Sequence, residues 1–261
     1  MRAIAAALIA CMLVLPAGPA AAEPHSYVTD YTISALGLRI GKARFRATIG
    51  DDEYTMRGKV RSAGIVNLFA KITGTMNVTG KIGQQGADAR DYRLNYVSGD
   101  DKQHTEIDFE NGTVIRTLND PEVRKKADWV AVKPEQLAGI ADPFSASLIR
   151  AGSRREVCGR TLRVYDGALV AEMRMSYLRT VPFYTKGYRG DAVTCLARFV
   201  PVAGYPGRKK EFHWMRDKSR IEISFAPVGK ASLYAPVSAV VGTQIGKVRL
   251  RATRFGTAGK D

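Results

Sequence analysis

Apolar and polar residues alternate along most of this chain, and the alternation defines its elements. From Tyr27 onward the dominant period is two. Side chains on a β-strand point to opposite faces in turn, so this period marks half-buried strands. Segment 28–36 leads into 38–41, after which Lys42, Arg44 and Arg46 alternate with Ala43, Phe45 and Ala47. Beyond the turn Gly50-Asp51-Asp52, stretch 54–63 sets Arg57, Lys59 and Arg61 opposite Met56, Gly58 and Val60. Strand-like segments follow at 70–82, 90–98, 105–109 and 113–118. Asn111-Gly112, between the last two, is the strongest short hairpin signal, because both residues tolerate positive φ. These segments predict a meander of antiparallel strands.

The pattern changes at Asn119. Residues 121–134 are charged and irregular. In 134–151, Leu137, Ile140, Phe144, Leu148 and Ile149 follow near-helical spacing. Pro134 suits a first helical turn. Asp142-Pro143 divides the segment, with Asp142 as the expected N-cap of its second part. Strand periodicity resumes at 161–165 and 169–181, on either side of the turn signal Asp166-Gly167. It continues at 194–199, 210–215 and 220–226, and through 233–255, where Lys247, Arg249 and Arg251 oppose Val248, Leu250 and Ala252. Roughly twelve strands in one domain exceed a comfortable flat sheet. The expected fold is therefore mainly β, a large coiled antiparallel sheet forming an open barrel or β-spiral, with one short helical insertion at 134–151. Gly41, Gly58, Gly74 and Gly246, inside strand patterns, fit bends or bulges. An outer-membrane barrel is disfavoured, because many alternating faces carry Lys and Arg where such a barrel needs an apolar band.

Residues 1–22 stand outside this pattern. Arg2 is followed by an apolar run and by Ala20-Ala21-Ala22 before Glu23, the layout of a cleavable signal peptide. The run is shorter than the roughly 18 residues a spanning helix needs. The expectation is export to the periplasm, with 23–261 as a single β-rich domain. Leu8-Ile9-Ala10-Cys11 also resembles a lipoprotein cleavage box, an alternative that leaves Cys11 lipidated. Removal of the leader leaves Cys158 and Cys195. An oxidising compartment permits their pairing, which would be worth roughly 4 kcal/mol in the chain-entropy picture. Two buried thiols are the alternative. The three His, at 25, 104 and 213, are scattered, and no Cys-x-x-Cys occurs, so no metal site is expected.

Charge sharpens the picture. The formal net charge is +15, and 150–220 alone holds sixteen Lys/Arg against six Asp/Glu. With export, the expected partner is an anionic envelope component (lipid, lipopolysaccharide or peptidoglycan) or a periplasmic protein, and not a nucleic acid. The trios Lys42/Arg44/Arg46, Arg57/Lys59/Arg61 and Lys247/Arg249/Arg251 each fall on one strand face. The first two segments are expected to pair, and the third to join them if the sheet closes on itself. The trios are either the solvated outside of a barrel or a ligand or partner surface. Phe183 and Tyr184, with Tyr188, form an aromatic cluster in the stretch between the cysteines, read either as packing over a barrel end or as a recognition surface. Trp214, beside a basic turn, is read as rim packing or as the lip of a pocket.

Several stretches resemble a known family. These are Tyr31-Thr32-Ile33-Ser34-Ala35-Leu36-Gly37-Leu38-Arg39-Ile40-Gly41-Lys42-Ala43, then Ser62-Ala63-Gly64-Ile65 and Asp142-Pro143-Phe144-Ser145-Ala146. Asp166-Gly167, Cys195, Phe212-His213-Trp214-Met215 and Ile221-Glu222-Ile223 complete the order. The chain resembles a family of exported bacterial proteins of unassigned function, a domain of unknown function similar in shape to β-spiral envelope-integrity proteins. The resemblance implies a periplasmic, largely β protein and transfers no catalytic residue.

The residues themselves suggest no enzyme. Gly-x-Ser-x-Gly, His-Glu-x-x-His and a phosphate loop are all absent. His213 is expected to face outward from a strand, without the nucleophile and orienting acid a base needs. Asp51-Asp52-Glu53 and Asp100-Asp101 sit at turns, where Asp makes local hydrogen bonds. No cofactor is expected. The expected function is envelope maintenance by binding a lipidic, glycan or protein partner, helped by the concave apolar face of a curled sheet. Docking of another protein on a sheet edge is the alternative, and hydrolysis of envelope polymers a third.

Overall fold

The computed structural model describes residues 24–64, 71–229 and 232–258. The leader at 1–22, Cys11 and Ile65 lie outside them. The first half is a meander of β1 (His25–Ala35), β2 (Leu38–Ile49), β3 (Glu53–Ser62), β4 (Ile72–Ile82), β5 (Ala87–Ser98), β6 (Asp101–Glu110) and β7 (Thr113–Asp120). A connector carrying β8 (Trp129–Val130) and β9 (Ile149–Arg150) leads to the second half. There β10 (Thr161–Tyr165), β11 (Val170–Thr185), β12 (Tyr188–Ala203) and β13 (Tyr205–Pro206) precede helix α1 (Lys210–Asp217). Then β14 (Ile221–Val228), β15 (Leu233–Thr243) and β16 (Gly246–Thr257) close the chain.

One 14-stranded antiparallel sheet runs β10-β11-β12-β14-β15-β16-β1-β2-β3-β4-β5-β6-β7, with β9 on β15; β8 and β13 form a separate pair. The pivot is the pairing of β16 with β1, which sets the last strand beside the first. The large coiled sheet expected from the period-two pattern is therefore present. It does not close into a barrel by strand pairing. Its outer strands, β7 and β10, are bridged by the connector instead. Ile140 donates its N–H to Gly112 O at 3.0 Å, Ala141 to Arg163 O at 3.2 Å, and Tyr165 donates back to Ala141 O at 2.9 Å. A few backbone groups at these two edges are thus satisfied.

The expected helix at 134–151 is not formed. The segment holds two 3-10 turns, Pro134–Leu137 and Ser145–Ser147, and ends in β9. Gly139 at φ +62° breaks any helical run, as does Pro143. Its apolar residues recur because the segment runs through the interior of the sheet, not because they share one face of a helix. Ile140, Phe144 and Leu148 all pack into the main core among Tyr54, Tyr92 and Phe109. The segment is a plug inside the curled sheet. The one α-helix among the described residues is α1, where a strand was expected.

The expected bend glycines serve packing as well. A Cβ on Gly58 would lie 2.6 Å from the Phe45 ring and 2.7 Å from Met76 Cγ, so the absent side chain gives its neighbours their space. A second core lies around Ile149, Val157, Met175, Val193 and Phe225. Cys158 and Cys195 are bonded inside it, with Cα atoms 5.4 Å apart, and tie the 152–160 loop to β12.

Candidate functional site

Between the plug and the wall formed by β1, β2, β15 and β16 lies a cavity of about 410 Å³. Its existence follows from strand alternation. Tyr27, Thr29 and Tyr31 of β1 point inward, as do Phe45, Ala47 and Ile49 of β2, Met56 of β3 and Leu250 of β16. Small residues leave the space open: Ala47, Ala235 and Gly256 stand where larger side chains would fill it. Phe144, Ser147 and Leu148 of the plug form its floor. Gly187 and Tyr188, at the tip of the β11–β12 hairpin, reach its rim, where Pro227, Gly229 and Thr257 also stand. Phe255 N–H bonds to Lys186 O at 2.8 Å and Thr185 Oγ1 to Ala252 O at 3.1 Å, so the hairpin tip is fastened to β16. Gly187 has φ +84°, and a Cβ there would lie 2.8 Å from Phe255 O; the approach requires glycine.

The lining is mostly apolar, and its buried polar groups have partners. Tyr31 donates its hydroxyl to Pro236 O, and burial pushes its ionisation well above the usual range. Ser147 donates to Phe144 O at 2.6 Å, and the Tyr188 hydroxyl to Asp191 O at 2.7 Å. Ser147 is thus occupied and meets no base.

Behind the floor is a buried polar knot. Asp142 accepts the N–H groups of Phe144 at 2.9 Å and Ser145 at 3.1 Å, together with the Ser145 hydroxyl. Ser145 Oγ meets the Tyr54 hydroxyl at 2.6 Å. The N-cap of the 3-10 turn is Phe144 and not Asp142 as expected; Asp142, two residues earlier, holds the turn's leading N–H groups instead. Burial pushes the Asp142 carboxyl up, against the lowering effect of its hydrogen bonds. Tyr54 ionises far above the usual range, through burial first and then the nearby Asp142. The knot holds Phe144 between the rings of Phe45 and Tyr92, at 5.6 and 6.3 Å.

The three basic trios fall on neighbouring strands of one outer face. Lys42 stands opposite Arg61, Arg44 opposite Lys59 and Arg46 opposite Arg57. Arg251 stands opposite Thr32 and Arg249 opposite Ser34 on the intervening β1. The third trio therefore joins the others through β1, without closure of the sheet. Asp30 meets this group and holds Arg44 in a bidentate pair. Elsewhere on the same sheet, cations face carboxylates: Arg93 meets Asp108 at 2.6 Å, Arg116 meets Glu106 at 2.9 Å and Arg179 meets Glu222 at 2.7 Å.

The other expected surface residues divide. Phe183 is buried in β11, with Arg251 over its ring at 4.8 Å, so it belongs to the core and not to a solvated loop. The stretch holding Phe183, Tyr184 and Tyr188 is a tight hairpin, because β11 and β12 pair up to Thr185 and Tyr188. Tyr184 is exposed, under Arg189 at 5.4 Å. Trp214 lies on α1 against Gly242 of β15. His213, on the same helix, donates Nε2–H to Gly207 O at 2.7 Å and accepts at Nδ1 from Arg216 at 3.3 Å; it is not an outward strand residue. Among the described residues no group of three or more His, Cys, Asp or Glu could hold a metal ion. No described helix is long and apolar enough to cross a membrane. The cavity itself was not legible as a residue set, since its lining comes from eight separate stretches; inward alternation on β1 and β2 was the available signal.

A family model described as protein of unknown function (DUF3108) matches residues 28–253. No curated protein matches the chain. Among solved structures, a beta-barrel-like protein of the domain of unknown function DUF1849 from Brucella abortus aligns with a TM-score of 0.49 at 10% identity, covering 91% of this chain and 98% of that one.

Proposed function

The chain belongs to the DUF3108 family of unknown function, and from its own geometry we propose a non-enzymatic, exported envelope-maintenance protein that holds one apolar, lipid-like molecule. The observation that carries this reading is the apolar cavity of about 410 Å³ inside the curled sheet. Small-molecule sites are commonly concave, largely preformed, mostly apolar and about 300–1,000 Å³ in volume. An acyl or isoprenoid chain would lie against Phe45, Met56, Phe144 and Leu250, and its polar end would sit at the rim near Tyr27 and Thr257. The Cys158–Cys195 bond supports export, since such bonds persist in oxidising compartments. Docking of a partner strand on a sheet edge is less favoured, because β7 and β10 already carry the connector.

The test is direct. Protein purified from an envelope fraction is extracted with organic solvent and the extract analysed by mass spectrometry. A stoichiometric apolar molecule is expected from the wild type. It should be lost on Ala47→Phe, which fills the cavity from β2. An empty wild-type extract, combined with no uptake of a fluorescent fatty acid by delipidated protein, would sink the proposal.

A further inference from the structure

Three large apolar side chains face solvent together at one end of the sheet. Leu36 is 70% exposed and Leu38 56%, at the β1–β2 turn; Ile245 is 76% exposed, at the β15–β16 turn. The two turns are neighbours, because β1 pairs with β16 up to Ala35 opposite Val248. Leu36 lies over Gly246, where a Cβ would come within 2.8 Å of its Cδ2. Leu36 also takes φ 51°, a conformation that a bulky residue adopts at a cost. Turn tips in water favour Asn, Asp and Gly, so leucines and an isoleucine gathered there call for an apolar partner.

The basic face begins at this same end. Lys247 follows directly after the Ile245 turn, and the Lys42–Arg61 pair lies a few residues along β2 and β3. Along these strands cations oppose cations, whereas β5, β6 and β7 match theirs with carboxylates. An exposed apolar tip bordered by a cationic wall is the pattern of a protein seated on an anionic bilayer. Side chains at the tip enter the headgroup and acyl boundary, and the cations meet the surface potential.

We propose that the β1–β2 and β15–β16 turns, with the adjoining cationic face of β16, β1, β2 and β3, dock this protein on an anionic lipid bilayer. A soluble polyanion would satisfy the cations but would leave Leu36, Leu38 and Ile245 in water, which is why the bilayer is the chosen partner. The surface is separate from the cavity. The rim at Tyr27 lies nine residues from Leu36 along β1, about 30 Å at roughly 3.3 Å per residue. A docked molecule would therefore hold its cavity mouth away from the membrane, free to meet a donor or acceptor.

Co-sedimentation of the mature protein with vesicles tests the surface. Binding to phosphatidylglycerol-rich vesicles is expected, with little to pure phosphatidylcholine, and it should weaken as salt rises. Changing Lys42, Arg61 and Lys247, cations close to the tip, to Gln should weaken it on the order of a hundredfold, at roughly a fivefold factor per cation near the surface. Leu36→Ser, Leu38→Ser and Ile245→Ser together should also abolish sedimentation while leaving retention on immobilised heparin unchanged. Ile245→Trp should show a blue-shifted emission on adding the anionic vesicles. Ala47→Phe should bind vesicles as the wild type does, so failure of the cavity reading and failure of this one are told apart. Vesicle binding that ignores the three Ser changes would overturn the proposal in favour of a soluble polyanion or an acidic protein. Absence of binding to anionic vesicles at low salt would overturn it outright.

Discussion

Asp142 shows how one side chain can set a cavity floor. Its carboxylate accepts two backbone N–H groups and one hydroxyl in a site closed to water. Asp142→Ala leaves those donors unmatched, and a loss of about 2–4 kcal/mol is expected, since each buried orphan costs about 1–3 kcal/mol and the site can partly relax. Asp142→Asn keeps an acceptor for the backbone and should lose less. The pH dependence has a definite sign. Burial raises the folded carboxyl above its unfolded value, so the ionised group costs stability at neutral pH. That cost is relieved as pH falls through the folded value and is gone below the unfolded one, about 3.9. Urea melts across the acid range should show this relief in the wild type and not in Asp142→Asn. A wild-type profile that parallels the Asn variant would refute the raised carboxyl. That Asp142 binds nearby backbone N–H groups was legible from Asp142-Pro143, though the cap position itself falls to Phe144; the buried knot with Tyr54 was not, because the two residues meet only through folding.

Strand pairing decides how the charges act. Lys42–Arg61, Arg44–Lys59 and Arg46–Arg57 are directly opposed, and like charges so placed destabilise a pair of strands. Arg57→Glu turns the pair with Arg46 into an attractive one. A gain of about 0.2–1 kcal/mol in denaturant midpoint is expected, with loss of part of the stabilisation that added salt gives the wild type. If Arg57→Glu destabilises the protein, repulsion is not the operative term on this face. The trios themselves were legible, because alternation places them on one face whatever the topology. Segment 210–217 was not. Phe212 and Trp214 fit a period of two over so short a run, yet the segment is helical. The ring of Phe212 packs on Tyr205 at 4.8 Å and Trp214 lies against Gly242, contacts that a helical turn supplies. Eight residues carry too few turns for either period to prevail.

The whole molecule depends on two closures other than strand pairing. One is the connector across β7 and β10; the other is the Cys158–Cys195 bond between the 152–160 loop and β12. Loss of the bond, in Cys158→Ser, should cost about 2–4 kcal/mol while leaving a β-type circular dichroism spectrum. Because the bond lies in the second core and not at the cavity, fatty-acid uptake by the folded Ser variant should match the wild type. A variant that folds but takes up no ligand would show that the 152–160 loop shapes the cavity from a distance.

Local periodicity by itself determined most of the long strands, 210–215 being the exception, because the face a side chain takes depends on parity along a single segment. It likewise determined the hairpins: Asn111 and Gly112 take φ 50° and 72° in their turn, and Asp166 accepts the N–H groups of Ala168 and Leu169. The cysteine count pointed to the one bond. Tertiary structure decided the rest. The β16–β1 pairing, the plug at 134–151 and the cavity beside it rest on contacts between residues far apart in the chain. Near-helical spacing in 134–151 arose from a non-helical segment whose Ile140, Phe144 and Leu148 enter one core and Ile149 the other, and no local rule separates that from the apolar stripe of a helix. The cavity is set by what the Ala and Gly positions on opposing strands leave unfilled, a property of the assembled sheet and of no single segment.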